Sequence, residues 1–538
     1  MSNIISANMI WILSAITVFV SFYWFLICPY KHWTKRGVAQ GNPVPIFGHM
    51  LSTILRKQSF SEMIQMVYNI APDSRYCGMY QFFQPLLVLR DPELIKQITV
   101  KDFDYFMNHR GFIPADCEPL WGKILILLTN QKWKDMRNTL SPAFTSSKMK
   151  YMFALISESA QQFTGHFLRK SENVITIEMK DTFTRFTNDV IANTAFGVEI
   201  DSLEDRNNEF YLMGKEATNF GGFMQFVKFL TFLIFPKLAK YLKITFFSKK
   251  VGKFFTKIIK DNIANREKHG IVRPDMIHLL LEARKNGWKY EESETLDTGF
   301  ATVKESNIGK IATVKQKITD EDIIAQAIIF FVGGFDPVSS IMSFMSYELA
   351  ANPDVQEKLH LEIDKTFKTC EGKLTYEALI EMKYMDMVVS ETLRLWPPNG
   401  MTDRVSSTSY VIEPKDPTEK PLQLEKGDLV MVPIFGIHRN PKYFPEPNRF
   451  DPERFNDEHK VNIKPYTYLP FGTGPRNCIG SRLALLEIKT LFFHFLSKFQ
   501  IIPVEKTQIP LRINRKSFNI TAENGFWLGL KQRGSDKL

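Results

Sequence analysis

The residues of this chain that could do chemistry begin with one cysteine, Cys478, in a glycine-rich segment. The segment runs from Phe471 to Gly480 and reads FGTGPRNCIG. Glycines such as Gly474 permit tight turns and close approach to a flat ligand, and Arg476 could reach a carboxylate on that ligand. A thiolate bound to iron needs backbone N–H donors around its sulfur, which such a loop supplies. The next residues have helical apolar spacing, which places the cysteine at a helix N-terminus and favours its anionic form.

Two further pairs of residues have the spacing of neighbours on one helix face. Trp133 and Arg137 are four positions apart, and Glu391 and Arg394 are three apart, so each pair shares a face. Taken alone, the first pair is typical of a surface cation packed on an aromatic ring. The second is typical of a solvated ion pair. Neither predicts a site without the cysteine segment beside it.

A long helix is predicted over residues 318–351. Thr319 followed by Asp322 is a capping-box-like start. Pro337 lies inside the helix, where a proline removes one hydrogen bond and clashes with the carbonyl four residues earlier, that of Gly333. We therefore expect a kink at this point, with the Gly333 carbonyl left without its helical partner.

The full pattern F-x-x-G-x-R-x-C-x-G resembles the haem-binding signature of the cytochrome P-450 superfamily, in which the cysteine is the axial iron ligand. The resemblance extends over nearly the whole chain, and residues 325–359 look most like the microsomal clan of vertebrate family three and nematode family thirteen. It implies haem b as cofactor and a mainly α fold with a small β region, the triangular prism of this superfamily.

The resemblance also implies roles for the two residue pairs. Trp133 and Arg137 would clamp a haem propionate, and Glu391 and Arg394 would form a buried structural network with Arg454 of the PERF segment. Many members carry another basic propionate contact near position 401, which is missing here or supplied by Arg404 or His109. The predicted haem-binding residues are Cys478, Arg476, Trp133, Arg137, Phe471, Gly474 and Gly480.

One departure from the family pattern lies in the long helix. The usual [AG]-G-x-[DE]-T reads GGFDP here, with the acid kept as Asp336 and the threonine replaced by Pro337. That threonine normally helps to hold the water that delivers protons. Protons could instead come through ordered water, Asp336 or Ser340; alternatively, reductive oxygen cleavage is poor. The predicted catalytic residues are Asp336, Gly334 and Pro337, and the predicted substrate contacts are Ile126, Val332 and Gly333.

The N-terminal segment predicts a membrane anchor. Residues 9–28 carry no charge, and Lys31, Lys35 and Arg36 follow them, as in a membrane-spanning helix with its basic flank in the cytosol. A cleaved signal peptide is the alternative, but no basic stretch precedes the apolar run. The predicted organisation is a transmembrane anchor at 1–30, a Pro/Gly neck at 31–48 and one haem-thiolate catalytic domain at 49–538. The predicted location is the endoplasmic reticulum membrane, single-pass, with the catalytic domain in the cytosol.

The net charge of +10 on 538 residues raises the question of an anionic partner. Residues 221–260 contain nine lysines and ten Phe or Tyr with no acidic residue. Nucleic acid is rejected, because the aromatics form apolar clusters; a basic amphipathic segment in the lipid interface fits better. A pair of core helices with outward-facing lysines is the alternative. The five cysteines form no CxxC pair, which argues against a disulfide framework or a zinc site.

These patterns predict a membrane-bound haem-thiolate monooxygenase. It would insert one oxygen atom from O2 into lipophilic small molecules (xenobiotic, steroid or fatty-acid-like), with electrons from an NADPH-dependent flavoprotein reductase. Lys134 and Lys489 are predicted as basic residues where that acidic partner docks. The alternatives are an isomerase or peroxygenase acting on peroxides, favoured by Pro337 alone, and a haem-containing binding protein without turnover. Residues 285–317 are predicted to be a surface insertion.

Overall fold

The structure is a computed structural model, and it describes residues 2–111, 118, 120–219, 223–245, 248–273, 275–286, 298–302 and 318–534. Most of these residues are helical, and short strands form three small sheets. The predicted fold class, mainly α with a small β region, is therefore confirmed.

The described α-helices are α1 (Ser2–Leu26), α2 (His32–Lys35), α3 (Leu51–Ile54), α4 (Phe60–Tyr68), α5 (Pro92–Lys96), α6 (Asn130–Leu140), α7 (Ser146–Leu168), α8 (Met179–Ile191), α9 (Glu209–Ala217), α10 (Phe223–Ile234), α11 (Pro236–Tyr241), α12 (Lys249–His269), α13 (Met276–Asn286), α14 (Asp320–Ala351), α15 (Pro353–Thr369), α16 (Tyr376–Glu381), α17 (Lys383–Leu395), α18 (Ile434–His438) and α19 (Ser481–Lys498). The strands are β1 (Tyr76–Gln81), β2 (Gln84–Leu89), β3 (Val174–Glu178), β4 (Thr402–Val405), β5 (Tyr410–Ile412), β6 (Leu422–Leu424), β7 (Leu429–Val432), β8 (Phe499–Pro503) and β9 (Trp527–Gln532).

The chain divides into two compact units, which are described separately. The first comprises Met1–Met107 and Gly400–Ile437. It holds a four-stranded sheet in the order β1-β2-β7-β4 and the β5–β6 hairpin. The neck packs on this sheet, because the buried Trp33 indole donates a hydrogen bond to the Met79 carbonyl at 3.2 Å.

The second unit comprises Asn108–Asn399 and His438–Leu538 and holds the cysteine segment and the long helix. α14 begins at a capping box in which Thr319 and Asp322 bind each other's backbone N–H groups, and it runs without a break through Pro337. α14 packs against α8, and α19 packs against α7. A three-stranded sheet in the order β3-β9-β8 completes this unit.

Two helices bear on the membrane prediction. Among the described residues, the helix long and apolar enough to cross a membrane is α14, but 61% of its apolar window is buried, as in the core of a soluble domain. The N-terminal α1 contains a shorter apolar stretch, Trp11–Ser21. Its described side chains include strongly exposed Trp11, Phe19 and Trp24. The anchor therefore stays a prediction.

Candidate functional site

The cysteine segment forms a tight loop that ends in a helix. The backbone N–H of Cys478 donates to the Phe471 carbonyl at 2.9 Å, and that of Asn477 donates to the Gly474 carbonyl at 3.0 Å. Gly474 has a φ of +71°, a conformation that strongly favours glycine. Gly480 is the N-cap of α19 and has an ordinary φ of −93°. Its backbone conformation is therefore open to any residue, and close approach to a flat ligand stays the predicted reason for a glycine here.

The electrostatics of Cys478 differ from the prediction. The residue has exposed surface, but desolvation by the neighbouring protein raises the pKa of the thiol. The N–H of Gly480 and the charge of Arg137 oppose the shift without reversing it. The sequence predicted a thiol biased towards its anion by the helix N-terminus, but burial is the larger effect here.

Basic and aromatic side chains from α6 gather beside the cysteine loop. Arg137 donates to the carbonyl and the side-chain oxygen of Asn477, at 2.9 and 2.7 Å. The Arg476 guanidinium lies over the buried Trp133 ring, 4.1 Å from its centroid, and donates to the Leu128 carbonyl at 2.6 Å. The structure thus brings together the three side chains that the sequence predicted to hold a carboxylate.

The middle of α14 presents different faces to different neighbours. Gly333 is exposed between largely buried turns, and a Cβ built on it would meet no atom within 4 Å. A Cβ on Gly334 would lie 2.7 Å from the Ile191 side chain, so this glycine permits close packing on α8. Pro337 follows Gly333 by one turn and shares its face. Having no N–H, Pro337 cannot bind the Gly333 carbonyl; the predicted kink stays a prediction.

Asp336 is held in a polar cluster on another face of α14. Lys180 of α8 donates to the Asp336 carboxylate at 2.8 Å and to its carbonyl at 2.9 Å. Asn519 donates to the second carboxylate oxygen at 3.0 Å. The Ser340 hydroxyl donates back to the Asp336 carbonyl at 2.8 Å. Lys180 and Asn519 carry no signal in the sequence, because they lie 156 and 183 positions from Asp336.

Glu391, Arg394 and Arg454 form one buried network. Arg394 donates to both oxygens of Glu391, at 2.6 and 2.8 Å, and neither side chain has exposed surface. The Arg454 guanidinium lies 3.5 Å from Glu391. Arg394 also donates to the carbonyls of His438 and Pro447. The network therefore ties α17 to the segment that leads to the cysteine loop.

The other predicted contacts are less informative. Ile126 is half exposed and Val332 is half-buried. Arg404 lies in the first unit, where its guanidinium donates to the Asp403 carbonyl at 2.6 Å and burial lowers its pKa to about 10.

Comparison with known proteins decides the family. The family model described as Cytochrome P450 matches residues 38–528. The chain is 48% identical to cytochrome P450 9e2 of Blattella germanica, over 98% of this chain and 99% of the relative. It is 41% identical to probable cytochrome P450 9f2 of Drosophila melanogaster, over 93% of this chain and 94% of that relative. It is 36% identical to cytochrome P450 6k1 of Blattella germanica, over 95% of this chain and 94% of that relative.

This chain belongs to the cytochrome P450 family. The P450 is accordingly an oxidoreductase of the monooxygenase type with haem iron as its cofactor. The resemblance drawn from the cysteine segment is confirmed for the superfamily, and the finer assignment to a clan stays a prediction.

The residues of this P450 fit a haem. Cys478 is exposed although the three residues before it are buried, and Gly333 has open space in front of it. Arg137, Arg476 and the Trp133 indole are N–H donors of the kind that bind carboxylates. The donor set is thus one sulfur and a cluster of cationic or neutral N–H groups, which suits an iron porphyrin with two propionates.

Two residues that sequence reasoning missed, His438 and Tyr468, link the start of the P450 cysteine loop to α17. His438 is fully buried; it donates from Nδ1 to the Arg394 carbonyl at 3.0 Å and accepts from the Leu469 N–H at 2.8 Å. Burial, and then the charge of Arg394, lowers the pKa of His438 to about 3, so it is neutral at physiological pH. The Tyr468 hydroxyl donates to the Ser390 carbonyl at 2.9 Å. In the sequence, the segment HRNP at 438–441 is the signal that could have pointed to His438.

One predicted surface residue is not at the surface. The Lys489 side chain is 2% exposed and forms an ion pair with Asp386 at 2.7 Å. The prediction that Lys489 contacts a redox partner is therefore wrong, because α19 buries this position against α17. Lys134 is half-buried.

Replacing Glu348 by glutamine is expected to change how the stability of the P450 depends on pH. Burial raises the pKa of this α14 carboxyl to about 7, while the Trp396 indole donates to it at 2.8 Å. Between pH 4.5 and 7 the folded protein retains a proton that the unfolded chain releases, so stability falls as pH rises through this window. Glutamine removes this dependence. As the pH rises from 5 to 8, the free energy of unfolding of the glutamine variant should therefore increase by about 2–3 kcal/mol relative to that of the wild type.

Urea unfolding at pH 5 and pH 8 measures this effect. Glu357→Gln is the control, since Glu357 is an exposed carboxylate on the neighbouring α15. Equal pH responses for Glu348→Gln and Glu357→Gln would contradict the prediction.

Proposed function

We propose that this P450 is a membrane-bound monooxygenase that oxidises lipophilic small molecules. It would insert one atom of O2 into xenobiotic, steroid or fatty-acid-like compounds, with electrons from an NADPH-dependent flavoprotein reductase. The observation that carries this proposal is the set of exposed apolar and basic side chains on α10, α11 and the start of α12, because such side chains suit a lipid interface and substrates dissolved in it.

That surface is amphipathic in the described residues. Large apolar side chains are exposed along it, among them Met224, Phe235, Leu238 and Tyr241, the last with 84% of its area exposed. Lysines of α12 follow at helical spacing and are exposed at positions 249, 253 and 257. Burial of apolar side chains at the boundary between headgroups and acyl chains is favourable, and lysines are attracted to anionic headgroups. With α1 as anchor, the proposed location is the endoplasmic reticulum membrane, single-pass, with the catalytic body in the cytosol.

The proposed roles at the site follow its geometry. Cys478 is the iron ligand, with the Gly480 N–H tuning its sulfur. Trp133, Arg137 and Arg476 hold the propionates, and the exposed face at Gly333 receives oxygen and substrate. When bound, a thiolate-ligated haem supplies the redox centre that favours O–O cleavage. The buried Glu391–Arg394–Arg454 network fixes the backbone behind the cysteine loop.

Proton delivery is the point at which this chain departs from its family. Pro337 offers no hydroxyl on the face that it shares with Gly333, and Asp336 is bound to Lys180 and Asn519. We infer that water on the Gly333 face carries the proton and donates a hydrogen bond to the Gly333 carbonyl, to which Pro337 cannot donate. The same absence of a hydroxyl favours a second candidate function, a peroxygenase or isomerase that needs no reductase.

Restoring the hydroxyl with Pro337→Thr is expected to lower hydrogen peroxide release per product by about three-fold or more, since a positioned proton donor contributes to rate in this way. The P450 is reconstituted in lipid vesicles with lipophilic substrates, one arm receiving NADPH and reductase and the other an organic hydroperoxide alone. Val338→Thr is the control, because it adds a hydroxyl at the next, buried position.

The two arms separate the two candidate functions. Product from wild type in the NADPH arm supports monooxygenation with electrons from the reductase. Product in the hydroperoxide arm alone, for both wild type and Pro337→Thr, would overturn the leading proposal in favour of the peroxygenase or isomerase.

A further inference from the structure

A short part of the predicted surface insertion is docked against the second unit. Residues 298–302, of sequence TGFAT, are described, and their neighbours at 287–297 and 303–317 lie outside the described residues. Thr298 is 2% exposed and Ala301 is 4% exposed. The prediction of a surface insertion is therefore wrong for this segment, which we call the 298–302 clip.

Backbone groups of the clip complete a buried ion pair between two helices. Lys489 of α19 donates to Asp386 of α17 and to the Thr298 carbonyl, each at 2.7 Å. The Phe300 N–H donates to the second oxygen of Asp386 at 3.0 Å. A buried ammonium with a single acceptor is costly, because its remaining donors are unsatisfied. The clip supplies an acceptor to the lysine and a donor to the aspartate at once.

Gly299 shows that this docking is specific. Its φ is +147°, a conformation that side chains rarely adopt, and a Cβ there would clash with Asp386 Oδ1 and lie 2.8 Å from Lys489 Nζ. Only glycine lets the backbone approach the ion pair so closely. Replacing Gly299 therefore acts on the docking without deleting any group that takes part in it.

An aromatic contact fixes the other side of the clip. The Phe300 ring lies 5.3 Å from the Phe455 ring and 5.5 Å from the Tyr468 ring, and these two rings are themselves 5.0 Å apart. Three rings at these separations form a favourable cluster.

The contacts of the clip lie on both sides of the cysteine loop along the chain. Tyr468 precedes Phe471, the first residue of the loop, by three positions, and Lys489 lies on α19, which begins at Ser481 directly after the loop. Both are also fixed to α17, Tyr468 through its hydroxyl and Lys489 through Asp386. The clip and α17 together therefore form a frame that holds the residues on either side of the cysteine loop, and the loop connects them.

We propose that the 298–302 clip is a positioning element for the cysteine ligand. The clip holds Tyr468 and Lys489 against α17, and it thereby fixes the two ends of the loop that carries Cys478. A loosened frame lets the sulfur move away from the iron, which weakens thiolate ligation. This proposal rests on the proposed role of Cys478 as iron ligand.

The experiment uses the haem-loaded P450 with the variants Gly299→Ala and Phe300→Ala. Gly427→Ala is the matched control, because Gly427 also has a positive φ, of +96°, but has open space around a Cβ. Hydrogen exchange of peptides covering 298–302 reports undocking. The ferrous carbon monoxide spectrum reports the share of thiolate against neutral thiol ligation, and transfer of haem to excess apomyoglobin reports its retention.

We expect both variants to exchange faster at 298–302, to show more thiol ligation and to lose haem about ten-fold faster, the scale of effects for residues that support a metal ligand. Gly427→Ala should match wild type in all three. Faster exchange with an unchanged ligation ratio and haem loss would overturn the positioning role, and unchanged exchange in Gly299→Ala would overturn the docking itself. A wild-type spectrum without thiolate ligation would instead refute the role of Cys478.

Discussion

Replacing Cys478 by serine is expected to abolish the thiolate-ligated haem of this P450 and to lower monooxygenase activity by roughly 10³-fold or more, the scale for an essential catalytic group. Serine keeps the size of the side chain and the loop hydrogen bonds, including the N–H bond to the Phe471 carbonyl. It replaces a soft, electron-donating sulfur with a hard oxygen, which cannot provide thiolate ligation. The loss should therefore be one of ligation rather than of folding.

The ferrous carbon monoxide spectrum is the primary measurement, with haem content determined on the same sample. Cys370→Ser is the matched control, because Cys370 is a half-buried cysteine at the C-terminus of α15 and outside the site. It should keep the wild-type spectrum and activity. A thiolate spectrum retained by Cys478→Ser would disprove the assignment of the ligand.

Replacing Arg394 by methionine is expected to destabilise the P450 by about 3–5 kcal/mol, since removing one partner of a buried ion pair leaves the other charge uncompensated. Glu391 has no exposed surface, and its remaining ion-pair partner, Arg454, lies 3.5 Å away. The carbonyls of His438 and Pro447 would also lose their donor. We expect little folded, haem-loaded protein at 37 °C.

Urea unfolding of the variant expressed at low temperature measures the loss. Arg449→Met is the control, because Arg449 forms a surface ion pair with Glu446 in which both side chains are more than half exposed, and such pairs contribute about 0–1 kcal/mol. The double variant Glu391→Leu/Arg394→Met should recover part of the stability, since the fully buried Glu391 carboxylate is then no longer left without Arg394, although the largely buried Arg454 loses its carboxylate partner. Equal losses for Arg394→Met and Arg449→Met would show that the network is not structural.

The haem-loop pattern could be predicted because its information is local. The residues from Phe471 to Gly480 carry the proposed iron ligand, the turn-forming glycine and the arginine within ten positions, and one conformation of one segment brings them together. The start of α14 at Thr319 is local in the same way, since a capping box needs only residues three apart. The sequence by itself therefore determined the family, the enzyme class and the cofactor.

Tertiary structure alone decided how those groups are held and charged. Lysine is a residue type usually found at the surface, but α17 and the 298–302 clip bury Lys489 together with Asp386. The helix N-terminus favours a Cys478 anion, but burial raises the pKa of the thiol. Asp336 is bound to Lys180, 156 positions away. Desolvation and long-range pairing depend on which distant segments meet, and neither composition nor the spacing of nearby residues contains that information.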